Sequence, residues 1–134
     1  MTSDLTFNAG TSTQTVEIFT TGDMVLEMSE SFTVSLSQTP VDTAVTLDPP
    51  SATIEVYDDD SKLMNDFSLH FLSPLHNCFS SSAVTIGFDA TTYNVTEGGS
   101  VSVSVSVQSG TLAREVVVTL QTVDGTATGR DVFT

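Results

Sequence analysis

The sequence predicts an all-β protein built as an antiparallel sandwich, and two observations carry that prediction. Apolar residues recur at every second position in several short segments, most clearly at Val101, Val103, Val105 and Val107. This period of two is that of a strand with one buried face. Turn-forming residues separate the segments, and no stretch shows a sustained helical period. Short alternating strands divided by turns are typical of a sandwich.

Four strands are expected in the first part of the chain. Each is marked by alternating apolar residues or a β-favouring triplet, and each is followed by glycine, proline or acidic residues. They are Leu5–Phe7, Thr15–Phe19, Phe32–Leu36 and Ala52–Val56. The third strand should end by Pro40, and the fourth should begin after Pro49-Pro50.

The second part repeats the pattern after an interruption. Strands are expected at Val84–Phe88, Tyr93–Val95, Val101–Val107 and Val116–Leu120. The polar face of the Val/Ser strand is uncharged, so this strand would be prone to register slip if it lay at an open edge. Residues 61–82 show neither period, and we expect them to be a linker or an insertion.

The charge balance restricts the classes of partner. The chain of 134 residues carries 17 acidic residues against three basic ones, Lys62, Arg114 and Arg130, for a net charge of −14. Nucleic-acid binding requires basic side chains at the phosphates, and docking on an anionic membrane requires them as well. Both are therefore disfavoured, whereas a divalent cation fits this balance.

The sequence contains little information about secretion or membrane insertion. A single cysteine, Cys78, excludes an internal disulfide framework. Met1–Asp4 does not open a signal peptide, and no apolar run approaches the length of a membrane-spanning helix. We therefore expect either a cytosolic protein or an interior piece of a longer chain.

Three adjacent carboxylates, Asp58, Asp59 and Asp60, follow the fourth predicted strand. Two carboxylates about 4 Å apart repel by roughly 1 kcal/mol in water and about 4 kcal/mol at a surface-like dielectric. Such a cluster is either a solvated strand end or a place where a cation supplies the missing charge. Calcium takes six to eight oxygen ligands, mainly carboxylates and carbonyls, and would suit the second case.

Five stretches together resemble a known family, the Calx-beta domain. Tyr93–Gly98 resembles its Y-x-V-x-E-G strand, and Thr122–Asp131 resembles T-x-D-G-T-A-x-x-G-x-D. Leu5–Gly10 is similar to L-T-F-x-x-G, Glu27–Leu36 to E-x-x-E-x-F-x-V-x-L, and Ala52–Asp60 to the closing strand with its acidic end. The resemblance implies an immunoglobulin-like sandwich.

The order of these motifs differs from that of the family, in which the Y-x-V-x-E-G strand comes first. Residues 1–60 resemble the C-terminal part of one repeat, and residues 83–134 resemble the N-terminal part of the next. The two parts add up to about one repeat, so the chain could close as a permuted single sandwich. Residues 61–82 would reach about 70 Å if extended, enough to run the length of a sandwich.

The resemblance also implies a set of calcium ligands. They map onto acidic residues of both parts: Asp23, Glu27, Glu30, Asp58, Asp59, Asp60, Glu97 and Asp131. Only Asp23 remains where the family often has paired or triple aspartates before E-x-x-E, which implies fewer ions or weaker binding. The competing interpretation is that these carboxylates are solvated loop residues, and Glu97 and Asp131 join the set only if the two parts come together.

Other candidate sites have weaker signals. Asn94-Val95-Thr96 is an N-glycosylation sequon, a tripeptide that also occurs by chance. A strand position beside Glu97 is not ideal for a glycan, so the sequon is weak support for an extracellular location. His70, His76 and Cys78 lack a fourth His or Cys for a zinc site, and we interpret them as bystanders. The sequence contains no nucleophile elbow, P-loop or dinucleotide-binding motif, so we expect no enzyme.

The expected function is a calcium-binding repeat segment of a cell-surface or matrix protein, with neighbouring Calx-beta repeats as partners and roles in adhesion or cell communication. It would lie outside the cell or in the extracellular part of a membrane protein. Two alternatives remain open: a purely structural sandwich without metal, and a cytosolic calcium sensor like that of the sodium–calcium exchangers.

Overall fold

The computed structural model of the chain describes residues 1–38, 42–59 and 83–127 and the backbone of residues 132–133. This part of the chain forms ten strands in two sheets and contains no helix. None of the described segments has a helix long and apolar enough to cross a membrane.

The first sheet contains five strands in the order β1-β9-β3-β5-β7. Their bounds are β1 Thr2–Phe7, β3 Glu30–Ser37, β5 Ser51–Tyr57, β7 Thr92–Thr96 and β9 Val116–Val123.

The second sheet also contains five strands, in the order β10-β2-β8-β6-β4. Their bounds are β2 Thr13–Thr20, β4 Val45–Leu47, β6 Val84–Phe88, β8 Ser100–Ser109 and β10 Val132–Phe133.

Each sheet takes strands from both parts of the chain. The only pairings within one part are β3 with β5 and β6 with β8, and every other described pairing joins residues 1–59 to residues 83–133. Neither part could therefore complete a sheet by itself. The expected sandwich is confirmed, and among the described strands it closes as a single permuted unit.

The core lies between the two sheets, where the inward-facing positions of the strands meet. Its fully buried larger side chains are Phe7, Ile18, Phe32, Val34, Ile54, Ile86, Phe88, Val103, Val105, Val118 and Leu120. The alternation seen in the sequence predicted these faces, because every second side chain of a strand points to the same side.

Two pairings depart from the predicted antiparallel arrangement. β5 pairs with β7 in parallel, and β4 pairs with β6 in parallel. Parallel neighbours need a long crossover connection. These pairs meet that condition, since β6 of the other sheet lies between β5 and β7 along the chain, and β5 lies between β4 and β6.

The remaining comparisons between the predicted and the observed strands concern the Val/Ser strand and two short strands. β8 lies between β2 and β6, so the expected hazard of an open edge does not arise there. β4 and β10 were not predicted from the sequence, because three and two residues are too few to show a period. Residues 61–82, which include His70, His76 and Cys78, lie outside the described part of the chain.

Candidate metal centre

The parallel pairing of β5 and β7 brings two acidic strand ends to the same edge. Tyr57 of β5 pairs with Thr96 of β7, so both strands leave the sheet at one level. The backbone N–H of Glu97 donates a hydrogen bond to the Tyr57 carbonyl oxygen at 2.7 Å. As a result, Asp58 and Asp59 follow one strand and Glu97 follows its neighbour, in adjacent positions.

Three carboxylates converge at this edge. Asp58, Asp59 and Glu97 each offer an oxygen, and these oxygens all lie within 4.8 Å of one another. Asp59 is exposed, whereas Asp58 and Glu97 are half-buried. The cluster therefore joins residues that are about 40 positions apart in the sequence, one pair from the first part of the chain and one residue from the second.

The loop between β2 and β3 covers the side of the cluster. The backbone N–H of Glu27 donates to Asp58 Oδ2 at 2.8 Å, and that of Val25 donates to Asp23 Oδ1 at 2.7 Å. A small pocket at this end is lined by Thr21, Glu27, Met28, Glu30, Val56, Asp58 and Glu97. Two further acidic residues, Glu27 of this loop and Glu30 at the start of β3, thus line the same pocket.

A close backbone contact fixes where this loop starts. Gly22 lies against Gly98, and a Cβ atom added at Gly22 would be 3.1 Å from both the nitrogen and the Cα of Gly98. Gly98 itself has a φ of 69°, in the left-handed region that favours glycine. The buried hydroxyl of Thr20 donates to Thr96 or Gly99, whose carbonyl oxygens are both 3.2 Å away. These contacts hold the loop beside the turn that carries Glu97.

The electrostatic surroundings of the cluster are negative. Partial burial raises the pKa of the Glu97 carboxyl above its usual range, and the charges of Asp23, Glu27 and Asp58 raise it further. In the described part of the chain, the single lysine or arginine is Arg114, which forms an ion pair with Asp42. Arg114 lies near the start of β9, at the opposite end of the sandwich.

The donor atoms suit a hard cation. All the charged groups of the pocket are carboxylates, which are ligands of calcium and magnesium rather than of soft transition metals. Three carboxylates converge and two more line the pocket, so the residues present fit a calcium ion that would complete its six to eight ligands with carbonyl oxygens and water.

The predicted ligands divide into three groups. The structure brings Asp58, Asp59 and Glu97 together and places Glu27 and Glu30 at the same pocket. The negative charge of Asp23 helps to raise the pKa of Glu97, and the Asp23 carboxylate accepts a hydrogen bond from the Val25 N–H of the loop. Asp60 and Asp131 lie outside the described residues.

Sequence reasoning did not select Thr21 or the paired glycines. Thr21 lines the pocket, and Gly22 permits the close approach to Gly98. The available signal was the turn sequence Thr20-Thr21-Gly22 directly before Asp23, but its contact with the Gly98 turn depends on a strand pairing that the sequence does not reveal.

The same loop carries the most exposed apolar side chains described in the chain. Met24 is 94% exposed, Leu26 69% and Met28 88%. Hydrogen bonds and the glycine contact therefore hold this loop in place, without burial of its apolar side chains.

One comparison with known proteins gave a match. The model of the Calx-beta domain family matches residues 1–60 and 80–134, which is most of the chain. Curated proteins and solved structures gave no significant match. The matched residues include both acidic strand ends and the loop that covers them, and we conclude that the chain belongs to the Calx-beta family.

Proposed function

We propose that this chain is a calcium-binding segment of a cell-surface or matrix protein that acts in adhesion or cell communication. The observation that carries the proposal is the convergence of Asp58, Asp59 and Glu97 at one edge of the sandwich. Calx-beta domains are generally calcium-binding, and they are binding or regulatory modules rather than catalytic ones.

The ion would be held by residues of three separate elements. Asp58 and Asp59 follow β5, Glu97 follows β7, and Glu27 and Glu30 come from the loop before β3 and the start of that strand. Calcium would supply the positive charge that these carboxylates lack and thereby remove their mutual repulsion. Since the elements belong to both parts of the chain, the bound ion would also tie those parts together.

This linkage suggests how the segment would act in a longer protein. The acidic edge forms one end of the sandwich, where a neighbouring Calx-beta repeat would adjoin. An ion that fixes the loop between β2 and β3 against the Gly98 turn would stiffen that end. Calcium and adjacent repeats are accordingly the partners we propose.

One observation favours the rival function, a structural sandwich without metal. The carboxylate of Asp58 already accepts a hydrogen bond from the Glu27 N–H, and Asp59 is exposed to water. Groups satisfied in this way do not require an ion, because exposed acidic loops are stable when solvated. The two functions differ in whether added calcium releases heat and raises the unfolding temperature.

Calorimetric titration of the chelator-treated full chain with calcium tests the proposal. We expect a saturable heat at or below millimolar calcium, a higher unfolding temperature, and a weaker response to magnesium. Asp59→Asn should weaken calcium binding, and the matched control Asp4→Asn, on β1, should not. No heat and no thermal shift at millimolar calcium in the folded chain would refute calcium binding and support the structural role.

A further inference from the structure

The sequon at Asn94 lies on an exposed strand at the edge of the first sheet. β7 pairs with β5, and within the described part of the chain its other edge has no partner strand. Asn94 and Thr96 are exposed, whereas Val95 between them is 6% exposed and faces the core. The alternation of the strand thus turns the asparagine and the threonine of the sequon to the same outer face.

Neither side chain is engaged by its surroundings. Asn94 and Thr96 make no side-chain hydrogen bond to the described residues. Glu55, the register partner of Asn94, instead accepts a hydrogen bond from the Tyr57 hydroxyl at 2.6 Å. The Asn94 amide is therefore unengaged by the described residues, and a large substituent on this exposed side chain would extend away from the sheet.

The edge of β7 lacks the usual protection against pairing with another chain. Its residues, Thr92 to Thr96, include no charged side chain and no proline, and its register with β5 contains no bulge. Of the other end strands, β1 carries Asp4, and β4 and β10 have only three and two residues. Exposed edges without charge, proline or bulge are prone to intermolecular pairing.

We propose that Asn94 is an N-glycosylation site, and that its glycan covers the open edge of β7. In the transfer, the Asn94 amide nitrogen forms a bond to the anomeric carbon of a lipid-diphosphate-linked oligosaccharide. The bond from that carbon to the phosphate oxygen breaks, the lipid diphosphate leaves, and the amide proton passes to a base of the transferase. Thr96 supplies the hydroxyl that the acceptor sequence requires.

The attachment residue Asn94 is not one of the residues of the candidate metal centre. Asn94 precedes Glu97 by three residues, about 10 Å along an extended strand, and it faces outward from the sheet. The inference rests on the extracellular location proposed above, but it does not depend on calcium. A glycan is detected by mass, whereas calcium binding is detected by heat, so failure of one is distinguishable from failure of the other.

The test is to direct the full chain into the secretory pathway of animal cells and analyse both the secreted and the retained pools. We expect the wild type to lose mass on treatment with peptide N-glycosidase and to yield a glycopeptide containing Asn94. Asn94→Gln and Thr96→Ala should lack the glycan, and the conservative control Thr96→Ser should retain it. Because Asn94 belongs to the only sequon of the sequence, unmodified Asn94 in folded wild-type chain from that pathway would overturn the assignment.

A second measurement tests the role of the glycan at the edge. Light scattering should show the glycosylated wild type as a monomer at concentrations where Asn94→Gln self-associates, with the same circular dichroism spectrum and calcium response in both. Equal monomer content of the two proteins across the concentration series would show that the glycan does not protect this edge.

Discussion

Replacing Glu97 with glutamine should stabilise the calcium-free protein, and calcium should cancel most of that gain. Without calcium, the substitution removes one of three like charges whose oxygens lie within 4.8 Å of one another. With calcium, it removes one of the carboxylate ligands. A residue with only a structural role would change the free energy of unfolding by the same amount in both states.

The separation of the carboxylate oxygens sets the size of the expected gain in stability. At 4.8 Å, each carboxylate pair repels by about 0.9 kcal/mol in water and about 3.5 kcal/mol at an effective dielectric of 20. The lower value applies better here, because Asp59 is exposed and Asp58 and Glu97 are only half-buried. Removing the two pairs that involve Glu97 should stabilise the calcium-free protein by about 1–2 kcal/mol at low salt, and by less at physiological salt.

Calcium should cancel most of this advantage. A ligand present at 100 times its Kd stabilises the folded state by about 2.7 kcal/mol, and a tenfold weaker Kd removes about 1.4 kcal/mol of that gain. The wild type should therefore gain more from calcium than Glu97→Gln.

Thermal unfolding of both proteins in chelator and in millimolar calcium measures the two effects. About 1 kcal/mol corresponds to roughly 3–6 °C in a domain of this size, so the shifts are measurable. Glu115→Gln is the matched control, since it removes one exposed glutamate at the other end of the sandwich. The reasoning fails if Glu97→Gln is no more stable than the control in chelator, or if both variants gain equally from calcium.

Three further predictions concern pH, backbone packing and the core. The pKa of Glu97 is raised above its ordinary 4.5, so the folded state binds this proton more tightly than the unfolded state. Protonation of Glu97 therefore stabilises the folded state fully below pH 4.5, and this stabilisation is lost as the pH rises through the raised pKa of the folded state. A pH series of calcium-free unfolding should show this loss in the wild type but not in Glu97→Gln. Gly87→Ala should destabilise by about 2 kcal/mol or more in denaturant unfolding, because its Cβ would lie 1.9 Å from the Asp48 carbonyl oxygen. The clash would disrupt the two backbone hydrogen bonds that join these segments, from the Asp48 N–H to Ile86 and from the Phe88 N–H to Pro49. Val103→Ala should cost about 2–4 kcal/mol because the site is fully buried, whereas Leu26→Ser, on the exposed loop, should change stability by less than about 0.5 kcal/mol.

The local pattern of the sequence was sufficient to predict most strands and their buried faces. Ile54 and Val103 could be assigned to the core because a strand alternates its side chains regardless of its partner. The same pattern predicted that Asp58 and Asp59 end a strand. It could not reveal β4, whose three residues are too short to show a period.

The sequence by itself therefore determined the all-β class, the inward faces of the longer strands and the acidic character of the loops, because these depend on neighbouring residues. The tertiary structure decided which strands pair. It placed β8 inside its sheet, where its uncharged serine face is no hazard, and it paired β5 with β7 in parallel. That pairing set Glu97 beside Asp58 and Asp59, because strand partners are selected by the packing of the whole core, and no local pattern encodes them.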